Sequence, residues 1–136
     1  MNADDFQKLK EKIENLLILT DDNVLDKSIQ ISNYYMKFLQ IHSKECKDLK
    51  SKFHQREKIY GELYHQYKYN FEYSLDTKNE VEAYIKADDK YYKAALEYSQ
   101  QEIQVKFLEQ SLDHINNMGF RIKNYIDLVK IKKGLM

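Results

Sequence analysis

Proline is absent from the 136 residues, and glycine occurs only at Gly61, Gly119 and Gly134. So few helix breakers argue for long helices and few turns. Cys46 is the single cysteine, which excludes an intrachain disulfide. The longest aliphatic run, Leu16-Leu17-Ile18-Leu19, is far too short to cross a membrane. The acidic start, Met1-Asn2-Ala3-Asp4-Asp5, lacks the apolar stretch of a signal peptide. An intracellular, soluble protein is the expectation. Net charge is also missing, with 22 bases against 22 acids. That balance says nothing of partners until the charges are mapped along the chain.

What is present is helical periodicity. Phe6, Leu9, Ile13, Leu16 and Leu17 recur at steps of three and four, which predicts a helix from about Asp4 to Leu19, capped by Asp4 or Asp5. Thr20-Asp21-Asp22-Asn23 ends it and offers caps to the next. A second segment, about Asn23 to Tyr69, is apolar in front (Val24, Leu25, Ile29, Met36, Phe38, Leu39). Behind, it keeps only a narrow seam of Cys46, Leu49, Phe53, Tyr60, Leu63 and Tyr67. A narrow seam suits a coiled coil or an arm. Gly61 leaves open whether the segment is one helix or two. Residues 70–76 read as a loop. Thr77-Lys78-Asn79-Glu80 reads as a capping box before a short helix with Val81, Tyr84 and Ile85.

The last segment, about Asp88 to Lys133, has the clearest pattern. With Tyr91 as an a position, Val105, Leu108, Leu112, Ile115, Ile122, Ile126 and Val129 hold the a and d sites, interrupted only by Gly119. Sustained heptads imply helix–helix association, so these seven residues are the expected oligomerisation set. The register does not slip at Gly119, so the helix is expected to run on there. Leu96, Ile103, Phe107, Met118, Tyr125 and Leu128 lie outside the seam and favour a bundle or ring over a simple dimer. The expected class is all-α, with long helices and a C-terminal heptad helix driving coiled-coil or bundle-type homo-oligomerisation. Residues 1–70 form an N-terminal region with a basic face, 71–87 a loop and short helix, and 88–136 the oligomerisation helix.

The neutral total hides four blocks. Residues 1–36 carry seven acids and four bases, and 37–68 eight bases and four acids. Residues 71–113 carry ten acids and five bases, and 114–136 five bases and one acid. Opposite the apolar seam, one face of the second segment reads Lys37, Gln40, Lys44, Lys47, Ser51, His54, Lys58, Gly61, His65, Lys68. It holds no acid. Glu45, Asp48, Glu57 and Glu62 fall on the flanks, and Lys50, Lys52 and Arg56 add charge nearby. Tyr60, Tyr64, Tyr67, Tyr69 and Tyr73 follow. Lysines for phosphates and rings for stacking are the chemistry of single-strand binding. A solvated face with half-buried tyrosines is the competing reading.

Catalytic signatures are missing. No histidine among His42, His54, His65 and His114 is read as paired with a second histidine or a cysteine at metal-ligand spacing, so no metal is expected. His42, at a d position, reads as a core-edge residue, and Cys46 as a buried thiol. Three scattered glycines build no phosphate loop. Asp21-Asp22 and Asp88-Asp89 read as caps. Neither an enzyme nor a cofactor is expected.

Further residues carry a resemblance. Ala87-Asp88-Asp89-Lys90, Phe107-Leu108-Glu109-Gln110-Ser111-Leu112 and Asn116-Asn117-Met118-Gly119-Phe120-Arg121-Ile122-Lys123-Asn124-Tyr125-Ile126-Asp127 resemble the UvsY family of phage recombination mediators. Gly119, Phe120, Ile122 and Lys123 are the most specific part, and Lys37-Phe38-Leu39 with His42-Ser43 also fit. The likeness runs from about Asn33 to the end. It implies a ring-like homo-oligomer, a hexamer or heptamer, in the cytoplasm of an infected bacterium. It further implies binding to single-stranded DNA, loosening of the phage single-strand-binding protein, and loading of a RecA-like recombinase. There is one departure. The family's mid-chain motif sets two bases before paired aromatics. Ungapped from His42, those bases fall on Gly61 and Leu63. A shifted alignment uses Arg56 and Lys58, ahead of Tyr60 and Tyr64. The expected DNA-binding set is Lys44, Lys47, Lys50, Lys52, Arg56, Lys58, Tyr64 and Lys68. The alternative is a coiled-coil scaffold or adaptor that binds no nucleic acid.

Overall fold

The computed structural model describes residues 1–134. Among them it forms five helices and no strand: α1 (Ala3–Leu17), α2 (Val24–Tyr69), α3 (Lys78–Ala87), α4 (Asp89–Asn116) and α5 (Met118–Lys132). The protein is all-α. No helix among the described residues is long and apolar enough to cross a membrane.

Local chemistry sets the ends. Asn2 caps α1, its side-chain oxygen accepting from the backbone N–H of Asp5 at 2.7 Å. The cap therefore sits ahead of the expected Asp4 or Asp5, which instead place negative charge in the first turn. Thr77 caps α3 as expected, accepting from the N–H of Glu80 at 3.2 Å. Glu80 reaches back one residue further than a capping box requires, accepting from the N–H of Asp76 at 2.9 Å. α2 runs unbroken for 46 residues. Gly61 does not end it, because i→i+4 bonding continues through a glycine. The interruption in the C-terminal heptads falls at Asn117 and not at Gly119. Asn117 keeps right-handed angles (φ −82°, ψ −4°) between α4 and α5. Gly134, at φ +69°, takes the left-handed turn beyond α5 that glycine adopts without steric cost.

The described chain divides into two compact units, residues 1–44 with those from 106 on, and residues 45–105. The first unit's core is aliphatic: Leu9, Ile13 and Leu16 of α1, Phe38 of α2, Leu108, Leu112 and Ile115 of α4, Met118 and Ile122 of α5. Two cations close the C-terminus of α1. Lys27 donates to the Asn15 carbonyl at 2.8 Å and also to that of Ile18. Arg121 donates to the Leu17 carbonyl at 2.9 Å. They satisfy the carbonyls a helix end leaves open and oppose its dipole. Burial lowers the pKa of Lys27, and the charge of Arg121 lowers it further.

Most of the expected oligomerisation set lies inside the chain's own packing. Leu108, Leu112, Ile115 and Ile122 are buried against α1 and α2 of the same chain, and Val105 is buried too. Of the seven residues, only Ile126 is exposed and Val129 half-buried. An amphipathic helix buries its stripe against whichever apolar face reaches it first, and here two faces of the same chain do so.

The second unit centres on Leu63, Leu75, Val81 and Ile85. Ile59, Tyr60, Tyr64, Tyr67, Phe71 and Tyr91 pack around them. The Tyr60 hydroxyl donates to Glu82 Oε1 at 3.2 Å, and that of Tyr67 to Asp88 Oδ2 at 2.7 Å. Burial first, then the Glu82 bond, raises the Tyr60 pKa; for Tyr67 the Asp88 bond leads and burial follows.

Candidate nucleic-acid interface

The site is built by the twist of one helix. Every residue of α2 advances by about 100°, so positions three and four apart share a face. The inward face holds Phe38, Glu45, Lys52, Arg56 and Leu63, all buried or half-buried. Lys44, Lys47, Ser51, His54, Lys58 and His65 lie on the opposite face, and all are exposed. Among the described residues, Lys44, Lys47, Lys50 and Lys58 take part in no ion pair.

The other expected binding residues are engaged elsewhere. Lys52 donates to Gln101 Oε1 at 3.2 Å. Lys68 donates to the Leu75 carbonyl at 3.2 Å. Tyr64 is half-buried in the second core, 6.3 Å from the Tyr60 ring. Arg56 lies over the rings of Tyr98 at 4.4 Å and Phe53 at 5.3 Å, and pairs with Glu57 at 3.5 Å. Its buried Nε has no hydrogen-bond partner. A guanidinium stacked in this way supports packing, with its plane covered. Four of the eight residues, the lysines at 44, 47, 50 and 58, therefore stand free toward solvent.

The acids of this stretch are handled asymmetrically. Glu45 is 1% exposed and accepts from Gln101 Nε2 at 2.7 Å. The same amide nitrogen also donates to the Glu45 carbonyl at 2.9 Å. Glu57 is tied to Arg56. One flanking acid is thus buried and a second is paired with its neighbour, while Asp48 is half-buried and Glu62 exposed. Its spacing from Phe38 and Leu63 places Glu45 on the inward face although the residue is acidic.

The tyrosines divide. Tyr60, Tyr64 and Tyr67 belong to the second core, and only Tyr69 and Tyr73 are largely exposed. Tyr69 has its ring 5.2 Å from that of His65. The available stacking surface is two rings and not five. One pairing escaped the sequence reading. His42 and Cys46 stand four residues apart on α2, a metal-ligand spacing that the sequence analysis assigned to no histidine. His42 Nε2 is also 3.3 Å from Glu109 Oε1, and Cys46 is half-buried where full burial was expected.

A second feature of the first unit also escaped. Leu25, Ile29, Ser32, Met36 and Leu39 follow a 4-3-4-3 spacing on α2 and are all exposed, Leu25 and Ile29 to 69% and 71%. Phe120, Leu128 and Ile131 of α5 are exposed as well. Beside Met36 runs a groove of about 420 Å³ lined by Ile31, Tyr35, Ile115 and Gly119 among others.

The family model described as recombination, repair and ssDNA-binding protein UvsY matches residues 8–135. Three crystal structures of the bacteriophage T4 recombination mediator protein UvsY share the fold. One superposes with a TM-score of 0.80 at 19% identity, over 93% of this chain and 98% of that one. A second gives 0.78 at 20% identity over 98% of both chains. The third gives 0.76 at 19% identity, over 92% and 98%. No curated protein gives a significant sequence match.

Proposed function

The chain belongs to the UvsY family of recombination, repair and single-stranded-DNA-binding proteins, and from that premise we propose that it is a recombination mediator gripping single-stranded DNA along the outer face of α2. The observation that carries this reading is the set of four exposed lysines, 44, 47, 50 and 58, free of ion pairs on α2, with Glu45 buried and Glu57 paired to Arg56. Phosphates replace condensed counterions at such ammonium groups, and Tyr69 and Tyr73 supply rings on which bases can stack. The finer role follows the family: loosening the phage single-strand-binding protein and loading a RecA-like recombinase in the host cytoplasm, by binding alone and without catalysis.

One lysine face is weak. Repeated around a ring it gains by avidity, so assembly belongs to the same proposal. The occupant of the exposed α2 stripe is a second copy of this chain. Its 4-3-4-3 spacing is that of a coiled-coil seam, which a helix of the same spacing meets, and Phe120, Leu128 and Ile131 supply apolar surface on the same unit. An apolar stripe of this length left in water favours association.

The test is fluorescence anisotropy of a labelled single-stranded oligonucleotide across a salt series, with light scattering for mass. Reversing Lys44, Lys47 and Lys58 to Glu is expected to lower affinity by a factor on the order of 100 or more and to flatten the salt dependence, with mass unchanged. Equal affinity of variant and parent at low salt would remove this face from consideration. An intact oligomer that binds no DNA would leave the scaffold reading.

A further inference from the structure

A groove in the second unit gathers polar side chains that the α2 face leaves unused. It has a volume of about 240 Å³ and is lined by Gln55 and Ile59 of α2 and by Lys90, Lys93, Ala94 and Glu97 of α4. Helical twist explains the lining. Gln55 and Ile59 are one turn apart, and the α4 residues recur at steps of three and four, which puts them on one side of that helix. Ring contacts join the same stretches of the two helices. Arg56 lies 4.4 Å from the Tyr98 ring, and the Tyr60 ring 6.0 Å from that of Tyr91. Ala94 is buried and Ile59 half-buried, so part of the lining is apolar. Gln55, Lys90 and Lys93 are exposed and Glu97 is half-buried. Lys93 and Glu97, four residues apart, do not pair. Among the described residues, no hydrogen bond or ion pair engages the side chains of Gln55, Lys90, Lys93 or Glu97.

These parts match the parts of a nucleotide. The volume lies below the roughly 300–1,000 Å³ of sites for larger ligands and suits one flat group. Apolar surface takes the face of a base, and ammonium groups take the phosphates beside it. Residues 71–113 carry only five basic side chains against ten acidic ones. Two of the five, Lys90 and Lys93, stand at this groove. Its polar groups also discriminate. A carboxylate accepts hydrogen bonds and does not donate them, so Glu97 favours a base edge that carries an amino group. The Gln55 amide can donate to the ring nitrogen next to that amino group. Cytosine and adenine present this order of donor and acceptor. Thymine presents a carbonyl instead, which a carboxylate repels. The groove adjoins the α2 face, because the exposed Lys58 stands three residues after Gln55 and the exposed Ser51 four residues before it.

We propose that this groove seats one base of the single strand, with Glu97 and Gln55 selecting cytosine or adenine over thymine and Lys90 and Lys93 holding the neighbouring phosphates. This rests on the reading of the α2 face as the DNA-binding face.

The experiment compares the affinity of the full chain for an oligodeoxycytidylate and an oligothymidylate of equal length, by fluorescence anisotropy at fixed low salt. Slightly alkaline buffer keeps cytosine unprotonated. The parent is expected to bind the cytidine strand about fivefold more tightly. Glu97→Ala should bring that ratio to about one, weakening the cytidine strand and strengthening the thymidine strand. Lys90→Ala combined with Lys93→Ala should weaken both strands by a common factor, roughly three- to tenfold, and reduce the log–log salt slope by about 0.7 per lysine. Circular dichroism should be unchanged throughout, since alanine is a good helix former. A parent with equal affinity for the two strands overturns the base selection. So does a Glu97 variant that shifts both strands by one factor, which would reduce the carboxylate to general repulsion. If reversing Lys44, Lys47 and Lys58 weakens binding while the groove variants match the parent, the groove alone falls. If the parent binds neither strand, the DNA reading falls with it.

Discussion

The two compact units draw on the same long helices, α2 and α4, and are held by different chemistry. In the first, the core is nine apolar side chains from four helices. Ser111, the one buried polar side chain of that unit among the described residues, donates back to its own helix at the Phe107 carbonyl, 2.8 Å away. In the second, aromatic rings surround four aliphatics, and Glu45, Gln101 and Gln104 are buried as well. Apolar burial is strong and non-directional. Buried polar groups add little net energy and tie partners to a register, because leaving one unmatched is costly. The first unit therefore depends on volume and the second on matched hydrogen bonds.

Substitutions can sharpen or break this contrast. The largest effect is expected from Ile115→Ala, which opens a cavity among fully buried neighbours in the first unit and should cost about 3–4 kcal/mol in urea unfolding. The same truncation at the exposed Leu128 should leave that stability within about 0.5 kcal/mol. Equal losses at both sites would dissolve the assignment of core and surface. Next comes Gln101→Ala in the second unit. It removes a 2.7 Å bond to the buried Glu45 carboxylate and the partner of Lys52, and should cost about 2 kcal/mol. A neutral result would mean that the polar cluster does not fix the register.

The smallest effect belongs to Tyr67→Phe, at about 1 kcal/mol, discounted because the group is near solvent. Its pH dependence has a definite sign. Tyr67 has a raised pKa in the folded chain, so the phenol form is favoured there. The contribution is fully present below the ordinary tyrosine value of about 10 and is lost as pH climbs through the folded pKa. Parent and variant should differ at neutral pH and converge in alkali. A gap that stays constant would assign the loss to packing and not to the Asp88 bond.

The helices were legible because their causes are local. Leu9, Ile13 and Leu16 repeat at helical steps, and Thr77 with Glu80 carries its own stop-and-start signal. The basic face of α2 was legible for the same reason: spacing along a helix dictates which residues share a side. Its membership was harder. Lys44, Lys47 and Lys58 point outward as expected. Arg56 was drawn under Tyr98, 42 positions away, and Lys52 to Gln101, 49 positions away. Nothing near either residue in sequence announces such a partner.

Sequence alone determined that the chain is helical, how its charges are ordered along α2, and which family's motifs it carries. Each of these depends on residues within a turn or two of one another. Only the tertiary structure decided which apolar stripe is covered. The heptads from Leu108 to Ile122 close on the chain's own α1 and α2, while Leu25, Ile29 and Met36, just as apolar, are left in water. In the second unit, packing likewise buried Glu45 beside Gln101, 56 positions away. Burial is a property of pairs of surfaces, and the pairing is made by segments far apart in the chain, so no local pattern encodes it.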